Sequence, residues 1–197
     1  MKISDTLEKK QLVSGPKVLD IFDNLYGDIL TIPYDSESVL MEELWSRYKP
    51  ESPALNGYVF EGILAAIFYR SGILPLYVQA KLAFVPNVDF DFVAYTEEYG
   101  PIILSAKTSL RERYKQADLE GMMLRQVHRR AKSYLLTLHK KEAKSVNNKI
   151  KDGRVLGLDN VIVATDKKFD RLISELKTYS YFQPEKMDIL TSTRLIK

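Results

Sequence analysis

Along the chain the spacing of apolar residues changes period several times, and each change predicts an element. Leu40, Met41, Leu44, Trp45 and Tyr48 form one stripe, predicting a helix over 36–48 with Pro50 just beyond its end. A second, almost wholly apolar helix is predicted from Asn56 to Ser71, stopped by Gly72. The period then shortens. Leu76–Phe84, Val88–Tyr95 and Ile102–Lys107 are short runs rich in aliphatic and aromatic residues, and Thr96–Gly100 reads as the turn joining the last two. These runs predict a three-stranded meander.

Beyond Lys107, Leu110, Tyr114, Ala117, Leu124, Val127, Ala131, Tyr134 and Leu138 recur at spacings of three, four and seven, predicting one helix through the segment. Ser109 with Glu112 three residues on is a capping-box start. Lys140–Gly153 reads as a polar stretch, Asn160–Ala164 as a fully apolar interior strand, Phe169–Leu176 as a helix and Met187–Thr191 as a last strand. The expected order, ααβββαβαβ, is α/β: a mixed sheet with an antiparallel meander, flanked by helices. With no repeat and no low-complexity linker, one domain is expected, helices occupying 1–72 and the core 73–197.

At 197 residues and 45% hydrophobic, the chain is long enough for a sizeable core. The absence of cysteine excludes a disulfide framework, a thiolate zinc site and a catalytic thiol, and fits a reducing cytoplasm. The N-terminus lacks the apolar core of a signal peptide, and the longest charge-poor run, Ala54–Tyr69, is too short to span a bilayer, so no membrane segment is expected. Neither a GxGxxG nor a GKS/GKT sequence is present, so no nucleotide cofactor is suggested.

Charge adds more than its net value of +3 suggests. Lys107–Arg154 holds fourteen Lys/Arg against five Asp/Glu, while the remaining residues hold fifteen against twenty-one. Such a basic block attracts a polyanion, although a solvated basic helix would have the same composition.

Candidate chemistry lies where the meander meets this block. Asp89 and Asp91, two apart on a strand, are expected to share a face, and aspartate is a poor strand residue that needs a reason there. A solvated antiparallel face is the plainer account. If the hairpin tip lies at Glu98, Asp91 falls opposite Ser105 and Asp89 opposite Lys107, bringing carboxylate and ammonium onto one surface. Such a cluster can hold a divalent cation and place a lysine beside a phosphate or an attacking water. An exposed ion pair would look the same in sequence. Glu61 is the only charged residue between Ala54 and Tyr69, and its carboxylate needs either a partner or a solvated helix edge. His128 and His139 lack ligand spacing with any partner.

The run VDFDFVAY, a turn, IILSAK and then TSLRERYKQADLEG resembles the PD-(D/E)xK nuclease core of type II restriction endonucleases over roughly 60–120. In that family an Asp on one strand is followed, on the next, by an acidic residue, any residue and Lys. Ser105 departs from the acidic position. The sequence is similar to branches with Ser-x-Lys that take the missing carboxylate from the following helix, about a dozen residues past the Lys. Glu120 lies thirteen past Lys107. Arg113, six past Lys107, resembles an arginine of the same branch. On a helix it lies within about 20° of Glu120.

The resemblance implies a restriction-endonuclease-like core and a magnesium-dependent endonuclease of double-stranded DNA. Asp91, Glu120 and the Ala106 carbonyl would bind Mg2+, Lys107 would act on the water, and Glu61 and Asp89 would assist. Arg111, Arg113, Lys115, Arg125, Arg129 and Arg130 are the expected DNA contacts. A double-strand cut at a palindrome implies a homodimer. Two other readings stay open: a structure-specific nuclease on the same core, such as a junction resolvase or repair nuclease, and a non-catalytic nucleic-acid-binding protein.

Overall fold

The computed structural model describes residues 2–184 and 189–197. Four helices come first: α1 (Ile3–Lys9), α2 (Pro16–Leu25), α3 (Glu37–Arg47) and α4 (Pro53–Arg70). They are followed by β1 (Leu76–Leu82), β2 (Phe90–Thr96), β3 (Gly100–Ala106), α5 (Arg113–Val127), β4 (Lys132–Thr137), α6 (Lys140–Lys151), β5 (Asn160–Val163), α7 (Lys167–Leu176) and β6 (Ile189–Ile196). The mixed α/β architecture agrees with the sequence expectation.

The six strands form one sheet in the order β5-β4-β3-β2-β1-β6. The meander β1-β2-β3 and the added edge strand β6 pair antiparallel, while β3-β4 and β4-β5 pair parallel. Side chains alternate across this sheet. Phe92, Ala94, Ile102, Leu104, Tyr134, Leu136 and Ile162 enter the large core beneath α1–α4 and α7. Leu135, Val161 and Val163 face the opposite core with Tyr114 and Ala117 of α5 and Ala143 and Val146 of α6. The result is three layers, helix–sheet–helix.

Helix α4 is the buried centre of the first layer. Ser52 caps it by accepting the Leu55 N–H, Pro53 opens it without wasting a donor, and Gly72, at φ +72°, ends it. The β2-β3 ladder runs from Phe92–Leu104 to Thr96–Gly100, so its tip is at Glu98, the condition on which the expected pairing rested. Thr96 Oγ1 accepts the Tyr99 N–H and donates to the Gly100 carbonyl, closing the turn.

Four expectations are corrected. The helical pattern after Lys107 does not reach Leu138: α5 ends at Val127, and Lys132–Thr137 is β4. Ser133–Thr137 are buried on both faces, as in an interior parallel strand, so their continuous apolar run mimicked a helix stripe. Second, no capping box opens α5, because Glu112 itself takes the N-cap place and makes no side-chain cap bond. Third, Lys140–Lys151 is helix α6, whose narrow stripe of Ala143, Val146 and Ile150 was masked by charge. Fourth, α1 and α2 precede the elements the pattern predicted. The last strand is present as β6, although Met187 and Asp188 of its expected range lie outside the described residues.

Candidate active site

The ladder between β1 and β2 is interrupted at one point. Val78 pairs with Phe92 and Ala80 with Phe90, and the pair between them, Gln79 and Asp91, is skipped. Gln79 has φ +50°, a left-handed conformation costly for a residue with a Cβ. Both strands change face there. Leu76 and Val78 pack into the large core, but Ala80 and Leu82 pack into a smaller cluster on the other face; likewise Phe92 and Phe90 enter different cores despite their even spacing. The sheet turns over at Gln79–Asp91 and opens beside the end of β3.

Asp91 lies in that opening with a buried side chain. Its Oδ2 accepts the Ala106 N–H at 2.8 Å and the Lys107 ammonium at 2.7 Å, and its Oδ1 accepts from Gln79 Nε2 at 3.4 Å. The same Gln79 nitrogen donates to Glu61 Oε2 at 3.3 Å. The side chains of Lys107 and Asp91 are only 18% and 9% exposed, so solvent screens their ion pair poorly. The β2-β3 register extends to place Asp91 across from Ser105, as expected.

Helix α5 brings Glu120 to the same neighbourhood. Its course is fixed where the loop before β5 crosses it, with Asp118 accepting the Leu156 and Gly157 N–H groups. A Cβ added at Gly121 would stand 2.2 Å from the Gly157 carbonyl oxygen, so the crossing requires glycine. Glu120 Oε1 accepts from Gln116 Nε2 at 2.7 Å. Burial pushes its carboxyl up; Gln116 and the charge of Lys107 oppose this, while the charges of Asp91 and Asp89 add to it. Thus Lys107 and both aspartates lie within electrostatic reach of Glu120.

Burial also pushes the Glu61 carboxyl up, to about 7, with Asp91 adding to the rise and Lys107, Arg194 and Gln79 opposing it. Between the ordinary value of 4.5 and about 7, the folded protein keeps a proton that the unfolded chain has released. Stability is therefore lost as pH rises through that window. Without divalent cations the melting temperature should fall by a few degrees from pH 5 to pH 8, and Glu61→Gln should flatten the dependence, as a melting series would register.

Asp89 departs from its companion. It precedes β2, its side chain is 55% exposed, and its partner is Lys81 at 3.6 Å, not Lys107. The expectation that both aspartates share a face fails because strand alternation begins only at Phe90 and reverses at Asp91. Two residues of the cluster carried no sequence signal. Gln79 enters through its backbone conformation, and Arg194 arrives from β6, more than a hundred residues away. Arg194 donates to the Leu12 carbonyl at 2.6 Å and acts on Glu61 electrostatically; burial lowers its own pKa.

The basic residues separate into groups. Arg111 and Arg113 are exposed near the start of α5, and Lys115 is exposed and paired with Glu112. Arg125 is held by Asp159 Oδ2 and the Leu156 carbonyl, both at 2.6 Å. Arg129 and Arg130 lie in the α5–β4 loop beside the β2-β3 turn. That is the far end of β3 from Lys107, a strand length of roughly 20 Å.

Among the described residues no three acidic or histidine side chains are gathered closely enough to form a metal cage. The donor set still suits a magnesium ion, which is commonly held by one or two carboxylates with substrate phosphate and water completing its shell. Asp91 and Glu61, joined through Gln79, and Glu120, whose carboxyl feels the charge of Asp91, are the carboxylates that could contribute to such a shell. Among the described residues no helix is long and apolar enough to cross a membrane.

No family model and no curated protein matches the chain. Among solved structures, the fold is similar to that of the restriction endonuclease PspGI in a complex with substrate DNA. The TM-score is 0.57 at 16% identity, over 85% of this chain and 81% of that one. The chain therefore has a restriction-endonuclease-like fold, with Asp91 and Lys107 at the opened end of its central meander.

Proposed function

We propose that the chain is a magnesium-dependent, site-specific endonuclease of double-stranded DNA, a restriction enzyme working in the cytoplasm as a homodimer. The observation that carries the reading is the buried Lys107–Asp91 pair, with Glu61 and Glu120 around it, at the end of β3 in a fold similar to a DNA-bound restriction endonuclease. Mg2+ held by Asp91 and Glu120, with the Ala106 carbonyl as a further oxygen, would lower the pKa of a water and offset charge on the phosphate.

The chain's own groups do the rest. The Ala106 N–H fixes the Asp91 carboxylate, leaving Oδ1 toward Gln79. Lys107 places a positive charge beside the attacking water and the scissile phosphate. Water oxygen bonds to phosphorus and gives up a proton as the bond to the 3′ oxygen breaks; the 3′ oxygen takes up a proton in turn, leaving 5′-phosphate and 3′-hydroxyl ends. Arg111, Arg113 and Lys115 border this end of the sheet and would hold the DNA backbone. Arg129 and Arg130, at the other end, would contact the duplex farther from the cut, and Arg125 would contribute to the field from its place beside Asp159.

Incubating plasmid or phage DNA with the protein, with magnesium or with a chelator, tests this directly. Discrete magnesium-dependent fragments whose ends share one sequence are expected. Cleavage restricted to branched or damaged DNA would favour a structure-specific nuclease, and binding without turnover a non-catalytic DNA-binding protein. Within the site, Asp91→Ala should abolish cleavage, whereas Asp89→Ala, removing an exposed partner of Lys81, should reduce it less than about tenfold. Single-turnover rates rank the two, and the opposite order would transfer the metal role to Asp89.

A further inference from the structure

We propose that Gln79 is a positioning residue of this cluster: its amide ties the Asp91 carboxylate to Glu61, so that Asp91 is already oriented when a divalent cation binds. The proposal rests on the nuclease reading and deepens it.

Three observations converge on this side chain. Gln79 and Asp91 are the skipped pair of the β1-β2 ladder, so neither is placed by ordinary strand pairing. Gln79 keeps a left-handed backbone within a strand, where almost any other conformation would cost less. Its Nε2 then lies between two carboxylates of different elements, 3.3 Å from Glu61 on α4 and 3.4 Å from Asp91 on β2. One amide nitrogen thus faces two carboxylates, like groups that it keeps in one place. Lys107 neutralises Asp91 from the Oδ2 side, and Gln79 supplies donors on the other side.

Gln79 also lines a cavity of about 560 Å³ between the chain before α2, the start of α4 and β6, and Glu61 lines the same wall. The side chains at the joint therefore have open space beside them. Without the amide the two like charges are free to separate into that space, and the Asp91 oxygens lose their orientation before the cation binds. Groups that orient metal ligands typically affect affinity or activity ten- to a hundredfold.

Two substitutions separate the amide from the backbone. Gln79→Gly tolerates the left-handed φ and keeps the kink, but removes both donors. Gln79→Met keeps the length and the same backbone cost, also without donors. Calorimetric titration with Ca2+, together with single-turnover cleavage in Mg2+, reads the effect. Both variants should melt near wild type, bind Ca2+ about tenfold or more weakly, and cleave more slowly with little change in KM for DNA. Wild-type Ca2+ affinity in either folded variant would overturn the role of Gln79 and leave the nuclease reading intact. A wild-type protein that neither binds Ca2+ nor cleaves DNA would overturn both.

Discussion

Lys107→Ala should abolish cleavage, lowering the single-turnover rate by at least about a hundredfold, while duplex binding in the presence of a chelator stays within about tenfold of wild type. The rate effect follows from position. The ammonium lies 2.7 Å from Asp91 Oδ2 in a pair that is 18% and 9% exposed, where charge is poorly screened. Removing one preorganised donor aimed at developing charge typically costs two to three orders of magnitude in rate. The effect is large because charge grows on the phosphate only as the transition state is approached. Binding should change little, since Lys107 is one of fourteen cationic residues between Lys107 and Arg154, and DNA affinity is a sum over phosphate contacts.

A structural consequence needs its own control, because truncating the lysine leaves Asp91 buried with only the Ala106 N–H and the Gln79 amide. A melting curve at the assay pH accounts for any loss of fold. Lys107→Met, which keeps the apolar stem, should be as inactive as the alanine variant. Cleavage by folded Lys107→Ala within tenfold of wild type would remove Lys107 from the mechanism.

The parts of this site that were legible in the sequence are those set by alternation and local spacing. The turn at Thr96–Gly100 follows from two short apolar runs with turn residues between them, and with its tip at Glu98 the extended register brings Asp91 to Ser105 and the end of β3. Glu120 came from the resemblance, whose pattern puts a carboxylate about a dozen residues past the Lys, and the structure places that residue on α5. Where the reading failed, a local rule met a longer-range constraint. The parallel strand β4, buried on both faces, has no alternation to distinguish it from a helix. Asp89 lost its companion because the sheet turns over at Gln79–Asp91, a backbone event that neither residue type announces. Arg194 reaches Glu61 from the opposite end of the chain, and no spacing rule connects residues so far apart.

Glu120→Gln should lower cleavage at least about a hundredfold with almost no change in folding. The position that the resembled sequence pattern fills with an acid is here Ser105, 3% exposed and paired across the ladder with Leu135. That leaves Asp91 with one carboxylate where a cation bound with substrate phosphate commonly uses two. Glu120 is the proposed second: it is half-buried, and its carboxyl is under the influence of Lys107, Asp91 and Asp89 together. Glutamine keeps the size, the helix propensity and a hydrogen bond to Gln116, and removes only the anionic oxygen. The loss should therefore appear in the magnesium dependence of the rate and not in the melting curve. Adding Ser105→Glu to Glu120→Gln returns a carboxylate to the end of β3, and cleavage should recover in part. Recovery is limited by the cost of placing glutamate where serine is almost fully buried. Single-turnover kinetics across a magnesium series, run beside melting curves for both variants, separate these effects. Near-wild-type turnover by Glu120→Gln at every magnesium concentration would show that the second carboxylate comes from elsewhere, and Glu61, already hydrogen-bonded through Gln79 to Asp91, would be the residue to substitute next.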